Sequence, residues 1–192
     1  MSDTQHNSAK SPLTPQTEIC RVPFSDSVLE SLVTGLENEL GGNKLHASSF
    51  RDNHRVWVCP EKLQVALVYL RRLGMDFLVD LSAADYLNYP GAEHRYGVWY
   101  LLENTTNGCR LTIRTWVNDP DPVLASSFDI WRGSDWMERE IYDMFGIVFQ
   151  GHPDLRRILL PDEFAGHPLR KDYPLRGHGE RHHFVPLARD ES

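Results

Sequence analysis

Apolar residues recur with helical spacing in two segments of the first half of the chain. The first predicted helix begins near Ser27 and ends at Gly41. The second begins at Pro60, where the missing N–H of proline costs no hydrogen bond, and ends at Gly74. Val28, Leu32, Leu36 and Leu40 recur along one side of the first helix, and Leu63, Leu67 and Leu70 face inward in the second.

Segments with alternating apolar and polar residues predict five β-strands. Two short strands lie between the helices, and three longer strands follow the second helix. Asn107-Gly108 predicts a tight hairpin between the last two strands. The order α-β-β-α-β-β-β predicts an α+β fold of two layers, with the helices on one face of a mixed five-stranded sheet. The predicted strands comprise residues 44–50, 54–59, 77–81, 96–102 and 111–117.

A third helix and an irregular segment follow the predicted sheet. Ser134 or Asp135 can cap a helix that runs to Phe145, and Gly146 ends it. Five prolines then interrupt the last 42 residues, which still contain many apolar side chains. Such a segment is too apolar for a linker and too interrupted for a core element. We therefore predict an extended, Pro-rich C-terminal arm that buries its apolar side chains against a partner.

These patterns divide the chain into three parts. Residues 1–18 are rich in Ser, Thr, Gln and Pro, which predicts a disordered leader. Residues 19–149 form the predicted α+β domain. Residues 150–192 form the predicted partner-docking arm.

Charge and composition narrow the class of function. The chain has 192 residues, 27 acidic and 20 basic side chains and a net charge of −7, which disfavours nucleic-acid binding. No segment has the roughly 20 consecutive apolar residues of a membrane span. The first 18 residues contain no apolar stretch typical of a secretory signal. These features predict a cytoplasmic protein that reaches a membrane only through partners.

The cysteines and motifs argue against redox or hydrolytic chemistry in this chain. Cys20, Cys59 and Cys109 are far apart, whereas iron–sulfur clusters and structural zinc sites usually need four ligands in close pairs. Cys59 and Cys109 are expected to be small buried side chains in or beside strands. The first 130 residues contain no familiar phosphate-binding loop or catalytic motif. We predict no catalytic residue, no cofactor-binding residue and no metal ligand.

A histidine-rich end leaves a second class of function open. His178, His182 and His183 are close enough in sequence to share a metal ion, and His152 or His167 could contribute. A stand-alone protein of this kind would bind zinc, copper or nickel. The cluster lies in a Pro-rich tail without a predicted rigid element to orient ligands. This context favours an exposed histidine cluster over a metal site.

The most specific pattern in the sequence lies between Asp135 and Gly177. It contains Glu-Arg-Glu-Ile-Tyr-Asp-Met-Phe-Gly-Ile at 138–147 and Gly-His-Pro-Asp-Leu-Arg-Arg-Ile-Leu at 151–159. This stretch resembles the C subunit of respiratory complex I, also called the thirty-kilodalton subunit of NADH dehydrogenase. The resemblance extends more loosely over residues 20–177, through the order of helices and strands.

The resemblance implies a function that composition and spacing do not show. It implies a non-redox subunit in the peripheral arm of a proton-translocating NADH:quinone oxidoreductase, at the cytoplasmic face of the bacterial inner membrane. The implied partners are the quinone-binding D subunit and the iron–sulfur B and I subunits. FMN, iron–sulfur clusters and quinone would be held by other subunits. The same module occurs in cyanobacterial-type, F420-linked and membrane-bound hydrogenase complexes, which remain alternative hosts.

The resemblance also points to residues at a subunit interface. Arg156 and Arg157 are expected to anchor the arm to a neighbouring subunit, because they adjoin the apolar run 158–160. Glu140 and Asp143 are expected to hold the junction between the third helix and the arm. The predicted interface residues are Glu138, Arg139, Glu140, Asp143, His152, Asp154, Arg156, Arg157, Arg170, Asp172 and Tyr173.

Overall fold

The structure is a computed structural model that describes residues 27–42, 44–51 and 53–179. The predicted disordered leader, Cys20, His182 and His183 lie outside the described residues. None of the described helices is long and apolar enough to cross a membrane.

Ten helices and strands are formed by the described residues, close to where the sequence pattern predicts them. Gly41 and Gly74 follow the first two helices with positive φ angles of 100° and 94°, which confirms them as the ends of these helices. The elements are α1 (Ser27–Glu39), β1 (His46–Phe50), β2 (Asn53–Trp57), α2 (Pro60–Arg72), β3 (Phe77–Asp85), β4 (Tyr96–Glu103), β5 (Arg110–Val117), β6 (Val123–Ala125), α3 (Ser134–Phe145) and β7 (Val148–Gln150).

The main sheet has five strands in the order β1-β2-β5-β4-β3. Strands β1 and β2, β5 and β4, and β4 and β3 pair antiparallel, while β2 and β5 pair parallel. The predicted mixed five-stranded sheet is therefore confirmed. The predicted hairpin between β4 and β5 is confirmed: Asn104 N–H donates to Cys109 C=O, and residues 105–108, which include Asn107-Gly108, form the turn.

One face of this sheet forms the hydrophobic core with the helices. Alternate residues of β4, including Val98 and Tyr100, share a buried cluster with leucines of α1 and α2. The opposite face carries the intervening residues, and we call it the helix-free face. Trp57 and Trp116 are buried, but they do not belong to the core cluster.

A second, two-stranded sheet was missed by the sequence pattern. Strand β6 pairs parallel with β7, and α3 connects the two strands. The predicted cap of α3 is also wrong, because Gly133 precedes the helix and makes no side-chain capping bond. Gly146 ends α3 as predicted, with a left-handed φ of 75°.

The two described cysteines differ in exposure. Cys109 is partly buried and packs against the core cluster. Cys59 is exposed at the start of α2, so the expectation of a buried side chain is wrong for this residue.

Candidate functional site

The C-terminal arm lies against the end of helix α3, and Asp143 is the centre of this junction. Its side chain has no exposed surface. Its Oδ2 accepts hydrogen bonds from the N–H groups of Ile158, Leu159 and Leu160, at 3.1, 2.8 and 2.9 Å. Three successive N–H groups directed at one carboxylate form an anion-binding concavity. A helix residue thereby fixes the backbone of the arm over three positions.

Arg157 completes the partners of Asp143. Its Nη1 donates to Asp143 Oδ1 at 2.6 Å, and its Nη2 donates to Gly166 C=O at 3.0 Å. Burial alone would raise the pKa of Asp143, but the hydrogen bonds from Leu160 N–H and from Arg157 outweigh burial and lower this pKa below its ordinary value. The carboxylate therefore stays ionised at neutral pH.

Arg139 holds the arm from the preceding turn of α3. Its Nε and Nη2 each donate at 3.2 Å, to the C=O groups of Arg156 and Arg157 respectively. The Arg156 side chain, in contrast, is exposed and pairs with Asp154, which is also exposed, at 2.9 Å. The two neighbouring arginines therefore differ, because Arg157 is an internal group and Arg156 is a surface group.

The arm crosses the end of α3 at Gly146. Arg170 Nε donates to Phe145 C=O, and a His167 ring nitrogen lies 2.9 Å from Asp143 C=O. A Cβ atom added at Gly146 would lie 2.5 Å from Arg170 Nη2 and 2.6 Å from His167 Nε2. Glycine is thus required here both by its positive φ and by the close approach of the arm.

The arm also forms hydrogen bonds and ion pairs with the edge of the main sheet. Asp85, whose side chain has no exposed surface, accepts hydrogen bonds from Lys171 N–H at 2.8 Å and from Arg95 Nη2 at 3.1 Å. The same Arg95 nitrogen lies 2.8 Å from Asp172 Oδ2. The hydrogen bond from Arg95 lowers the pKa of Asp172. Tyr173 follows, with its ring 6.0 Å from that of Phe164.

Glu138 has an internal role at a separate place. Its carboxylate has no exposure and accepts hydrogen bonds from both hydroxyls of Ser126 and Ser127, each at 2.6 Å, and from Ser127 N–H at 2.7 Å. These serines follow β6, so Glu138 fastens the end of the small sheet to α3. Burial, with Glu138 nearby, raises the pKa of the Tyr100 hydroxyl.

Two of the histidines considered as metal ligands lie at opposite ends of α3. His152 accepts a hydrogen bond from Asp154 N–H, and its Nε2 lies 3.3 Å from Asp135 C=O, so both ring nitrogens are engaged. His167 lies at Asp143, eight residues or about 12 Å further along the helix axis. Within the described part of the chain, no group of three or more potential ligands is placed to hold a metal ion.

Apolar side chains remain exposed around the junction. Leu159 is 62% exposed and Leu169 is 50% exposed. Both lie at the end of α3, because Leu159 N–H donates to Asp143 and Leu169 N–H donates to Met144 C=O. Trp136, on the first turn of α3, is 63% exposed, and Leu175 further along the arm is fully exposed. We call Leu159 and Leu169 the leucine pair.

The eleven predicted interface residues thus fall into two groups. Most of the buried residues bind other parts of this chain. They would therefore stabilise the surface that a partner contacts, without touching the partner themselves. Asp85 and Arg95 were missed, because contacts between a carboxylate and a distant backbone leave no periodic signal. The leucine pair belongs to the apolar side chains of the arm that were expected to bury against a partner. The predicted residues that are exposed are Glu140, Asp154, Arg156 and Asp172, and their role at a subunit interface stays a prediction.

Comparison with known proteins identifies the family. The model of the family described as "Respiratory-chain NADH dehydrogenase, 30 Kd subunit" matches residues 56–179. The C subunit of the NADH-quinone oxidoreductase of Laribacter hongkongensis is 40% identical over 159 residues, which cover 80% of this chain and 82% of that protein. NADH-quinone oxidoreductase subunit 5 of Thermus thermophilus is 43% identical over 121 residues, covering 60% of this chain. The matched part spans 58% of the Thermus protein, less than two thirds of its length.

A fused relative and two solved structures extend the comparison. A fused C/D subunit of the NADH-quinone oxidoreductase of Bdellovibrio bacteriovorus is 42% identical over 72% of this chain and 25% of its own length. The trypsin-resistant fragment 1–134 of Nqo5 has a TM-score of 0.59 and 32% identity, and the match covers 66% of this chain and 98% of the fragment. A chain of an archaeal membrane-bound sulfane sulfur reductase shares the fold, with a TM-score of 0.67 and 18% identity over 86% of this chain and 97% of that chain. The chain belongs to the 30 kDa subunit family of the respiratory-chain NADH dehydrogenase.

Proposed function

We propose that this chain is a non-redox subunit in the peripheral arm of a proton-translocating NADH:quinone oxidoreductase. It docks the quinone-binding D subunit and the iron–sulfur B and I subunits at the cytoplasmic face of the bacterial inner membrane. FMN, the iron–sulfur clusters and quinone belong to those and other subunits. The chain supports electron transfer from NADH to quinone by positioning its neighbours.

Two findings from the comparisons support this proposal. The family match covers residues 56–179, which include α3, the junction and the arm as far as Gly179. The fused C/D relative joins a region similar to this chain to a further region in one polypeptide. A fusion of that kind is consistent with a direct contact between the corresponding separate subunits.

The observation that carries the proposal is the leucine pair on a fastened arm. Hydrogen bonds to Asp143 and Met144 fix the backbone of Leu159 and Leu169, while their side chains are at least half exposed. An exposed apolar side chain on a fixed backbone loses little conformational freedom when a partner covers it. Exposed apolar groups that lie together on a surface mark sites of protein–protein interaction.

Assembly of the complex tests the docking role. The variant Leu159→Asp/Leu169→Asp would replace the chromosomal copy in a bacterial host, and native gels would measure the abundance of the complex. We expect the assembled complex to decrease several-fold, because each buried aspartate would lack a partner. The matched control is Leu87→Asp, since Leu87 is also an exposed leucine (47%) but lies in the turn after β3.

Turnover per flavin separates docking from direct chemistry. The complex that still assembles should keep near-normal NADH:quinone turnover per flavin, because the leucines position other subunits and do not react. Normal abundance of the double variant would contradict the docking role. Full assembly with lost turnover would instead indicate a part in quinone chemistry.

The non-redox assignment has its own test. The purified full chain is expected to show no flavin or iron–sulfur absorbance and no oxidation of NADH with artificial acceptors. A stoichiometric chromophore bound to the purified chain would contradict the assignment.

A further inference from the structure

The helix-free face of the main sheet combines arginine and tryptophan side chains in one row. The strand register places His46 opposite Trp57, Trp57 opposite Arg114, and Arg114 opposite Trp99. The guanidinium carbon of Arg114 lies 5.9 Å from the Trp57 ring centre and 5.7 Å from that of Trp99. Arg114 therefore lies between two indole rings, an arrangement that orients a cation and removes part of its hydration.

Buried N–H donors on this face lack acceptors. Arg114 Nη1, Trp57 Nε1 and Trp116 Nε1 have no hydrogen-bond partner among the described residues. Burial lowers the pKa of Arg114, the charge of Arg55 lowers it further, and a hydrogen bond with Tyr86 opposes both effects. An unpaired buried donor is costly, and a charged one more so. These groups are suited to an acceptor that the chain itself does not supply.

A pocket of about 320 Å³ opens beside Arg114. Arg55 and Arg114 both line it, and neither forms an ion pair with any described residue. Arg110, at the adjoining edge of the face, is neutralised by Glu103 at 2.7 Å. The positive charge available to a ligand is therefore concentrated on β2 and β5, although the whole chain has a net charge of −7.

The far end of the pocket has the opposite charge. The register aligns Arg55 with Thr112, Thr112 with Leu101, and Leu101 with Asp80. Arg55 and Asp80 are therefore three strand spacings apart, about 14 Å. A carboxylate is attracted at the Arg55 end and repelled at the Asp80 end. The two ends of the pocket would therefore orient a ligand that carries a single carboxylate.

We propose that the helix-free face is a second docking surface, which binds an acidic segment of another subunit through a carboxylate placed between Arg55 and Arg114. The inference rests on the proposed docking function and names a further contact for it. Arginine binds a carboxylate through a pair of charge-assisted hydrogen bonds, and both Arg55 and Arg114 line the pocket. Thr112 and Asn53, which also line the pocket, offer further polar contacts.

The charge pattern favours a peptide carboxylate over an anionic membrane surface. A membrane presents many negative charges in one plane, and Asp80 lies among the residues that such a plane would meet. A peptide can instead place one carboxylate at the arginines and a different residue near Asp80. Its apolar side chains could cover Phe50, which is 63% exposed on the edge strand beside Asn53.

Site-specific photo-crosslinking in the assembled complex tests the inference. Ser48, which pairs with Arg55 from the edge strand β1, is replaced by a benzophenone amino acid, and Leu159 is replaced in the same way as a reference on the arm. We expect the Ser48 probe to crosslink a segment of another subunit with an Asp or Glu within a few residues. Arg55→Glu should lower the yield at least tenfold, whereas Arg55→Lys should retain most of it.

Each outcome separates this inference from the docking role of the arm. A crosslink from Leu159 with none from Ser48 overturns the second docking surface and leaves the proposed function intact. The absence of a crosslink to another protein from either position overturns both. A crosslink from Ser48 to lipid alone, to a segment without an acidic residue, or one insensitive to Arg55→Glu also overturns the inference. Restoration of the Arg55→Glu crosslink by an Arg at the acidic position of the mapped segment would confirm it.

Discussion

The α3–arm junction and the helix-free face both bury charged groups, but they differ in whether these groups have partners. At the junction, Asp143 receives hydrogen bonds from Arg157 and from three backbone N–H groups. On the helix-free face, Arg114 keeps a buried N–H without an acceptor among the described residues. Buried polar groups in folded proteins are almost always paired, so an exception needs a cause.

At the junction the buried polar groups are hydrogen-bonded within the chain, whereas on the helix-free face a partner would have to supply the acceptors. The junction satisfies its own charges, so it should contribute to the stability of the isolated chain. The helix-free face leaves donors unsatisfied, so its arginines should contribute little or even reduce stability until a ligand arrives. Substitutions in the two regions should therefore differ strongly in their effect on unfolding.

The largest effect is expected from Asp143→Ala. It leaves three buried N–H groups and the Arg157 guanidinium without an acceptor, which should lower the free energy of unfolding by about 3–5 kcal/mol. Urea unfolding of the full chain measures this change. Asp143→Asn retains one acceptor oxygen. Its free energy of unfolding should lie between that of Asp143→Ala and that of the unaltered chain. An unfolding curve of Asp143→Ala that matches the unaltered chain would show that the arm does not contribute to stability.

A smaller effect is expected from Arg157→Ala, and a much smaller one from Arg156→Ala. Arg157 donates to a fully buried carboxylate, so its loss should cost about 1.5–3 kcal/mol. Arg156 and Asp154 are both more than half exposed, and such a pair is worth less than about 1 kcal/mol. Thermal unfolding of the two variants side by side measures the difference. Equal melting temperatures would contradict the distinction between an internal and a surface arginine.

Acidification should reduce stability in two stages. Burial lowers the pKa of His46 on the helix-free face and of His167 at the junction. Below about pH 6.5 the unfolded chain therefore binds more protons at these histidines than the folded chain does. The free energy of unfolding consequently decreases as the pH is lowered. The lowered pKa of Asp143 adds a second loss below about pH 3.9.

Histidine variants test the first stage. His167→Gln and His46→Gln should each reduce the loss of stability that begins below about pH 6.5, measured by urea unfolding at a series of pH values. The second stage should persist in both variants and be reduced in Asp143→Asn, where Asp172, whose pKa Arg95 also lowers, still contributes to it. If both histidine variants follow the pH profile of the unaltered chain, the first stage arises elsewhere.

The smallest effect is expected from Arg114→Met. Methionine fills a similar space and removes a buried charge, so the gain in desolvation offsets the lost contacts with two indole rings and the lost hydrogen bond with Tyr86. The free energy of unfolding should change by less than about 1 kcal/mol in either direction, measured by urea unfolding. A loss comparable to that of Asp143→Ala would show that Arg114 stabilises the isolated chain and needs no external partner.

The helices and the main sheet could be predicted because their signals are local and repeated. The leucines of α1 and α2 recur along one helical side, and the long strands β4 and β5 alternate over eight residues each. Strand β6 could not be found in the same way. It has only three residues, follows prolines at 120 and 122, and gains its hydrogen bonds from β7, beyond α3.

The candidate site was predicted only in part, because its contacts join residues far apart in sequence. Glu140 and Asp143 were expected to hold the junction, and Asp143 does so through Arg157 and the backbone of the arm. The arm was expected to depend on partners because its apolar residues lack periodicity. Polar contacts within the chain also fasten it, and a carboxylate that accepts backbone N–H groups has no sequence period. The row of Trp57, Arg114 and Trp99 likewise appears only when the strands are aligned.

The residues of the junction lie late in the chain, so the junction can form only late during synthesis. All ten described helices and strands are complete at Gln150, whereas every arm donor to the Asp143 carboxylate comes from residues 157–160. At a synthesis rate of about 5–20 residues per second, Leu160 follows Gln150 by about 0.5–2 s. The leucine pair thus becomes fixed only after α3 is available to hold it. A nascent chain can present this anchor to other subunits only after its own domain has been made.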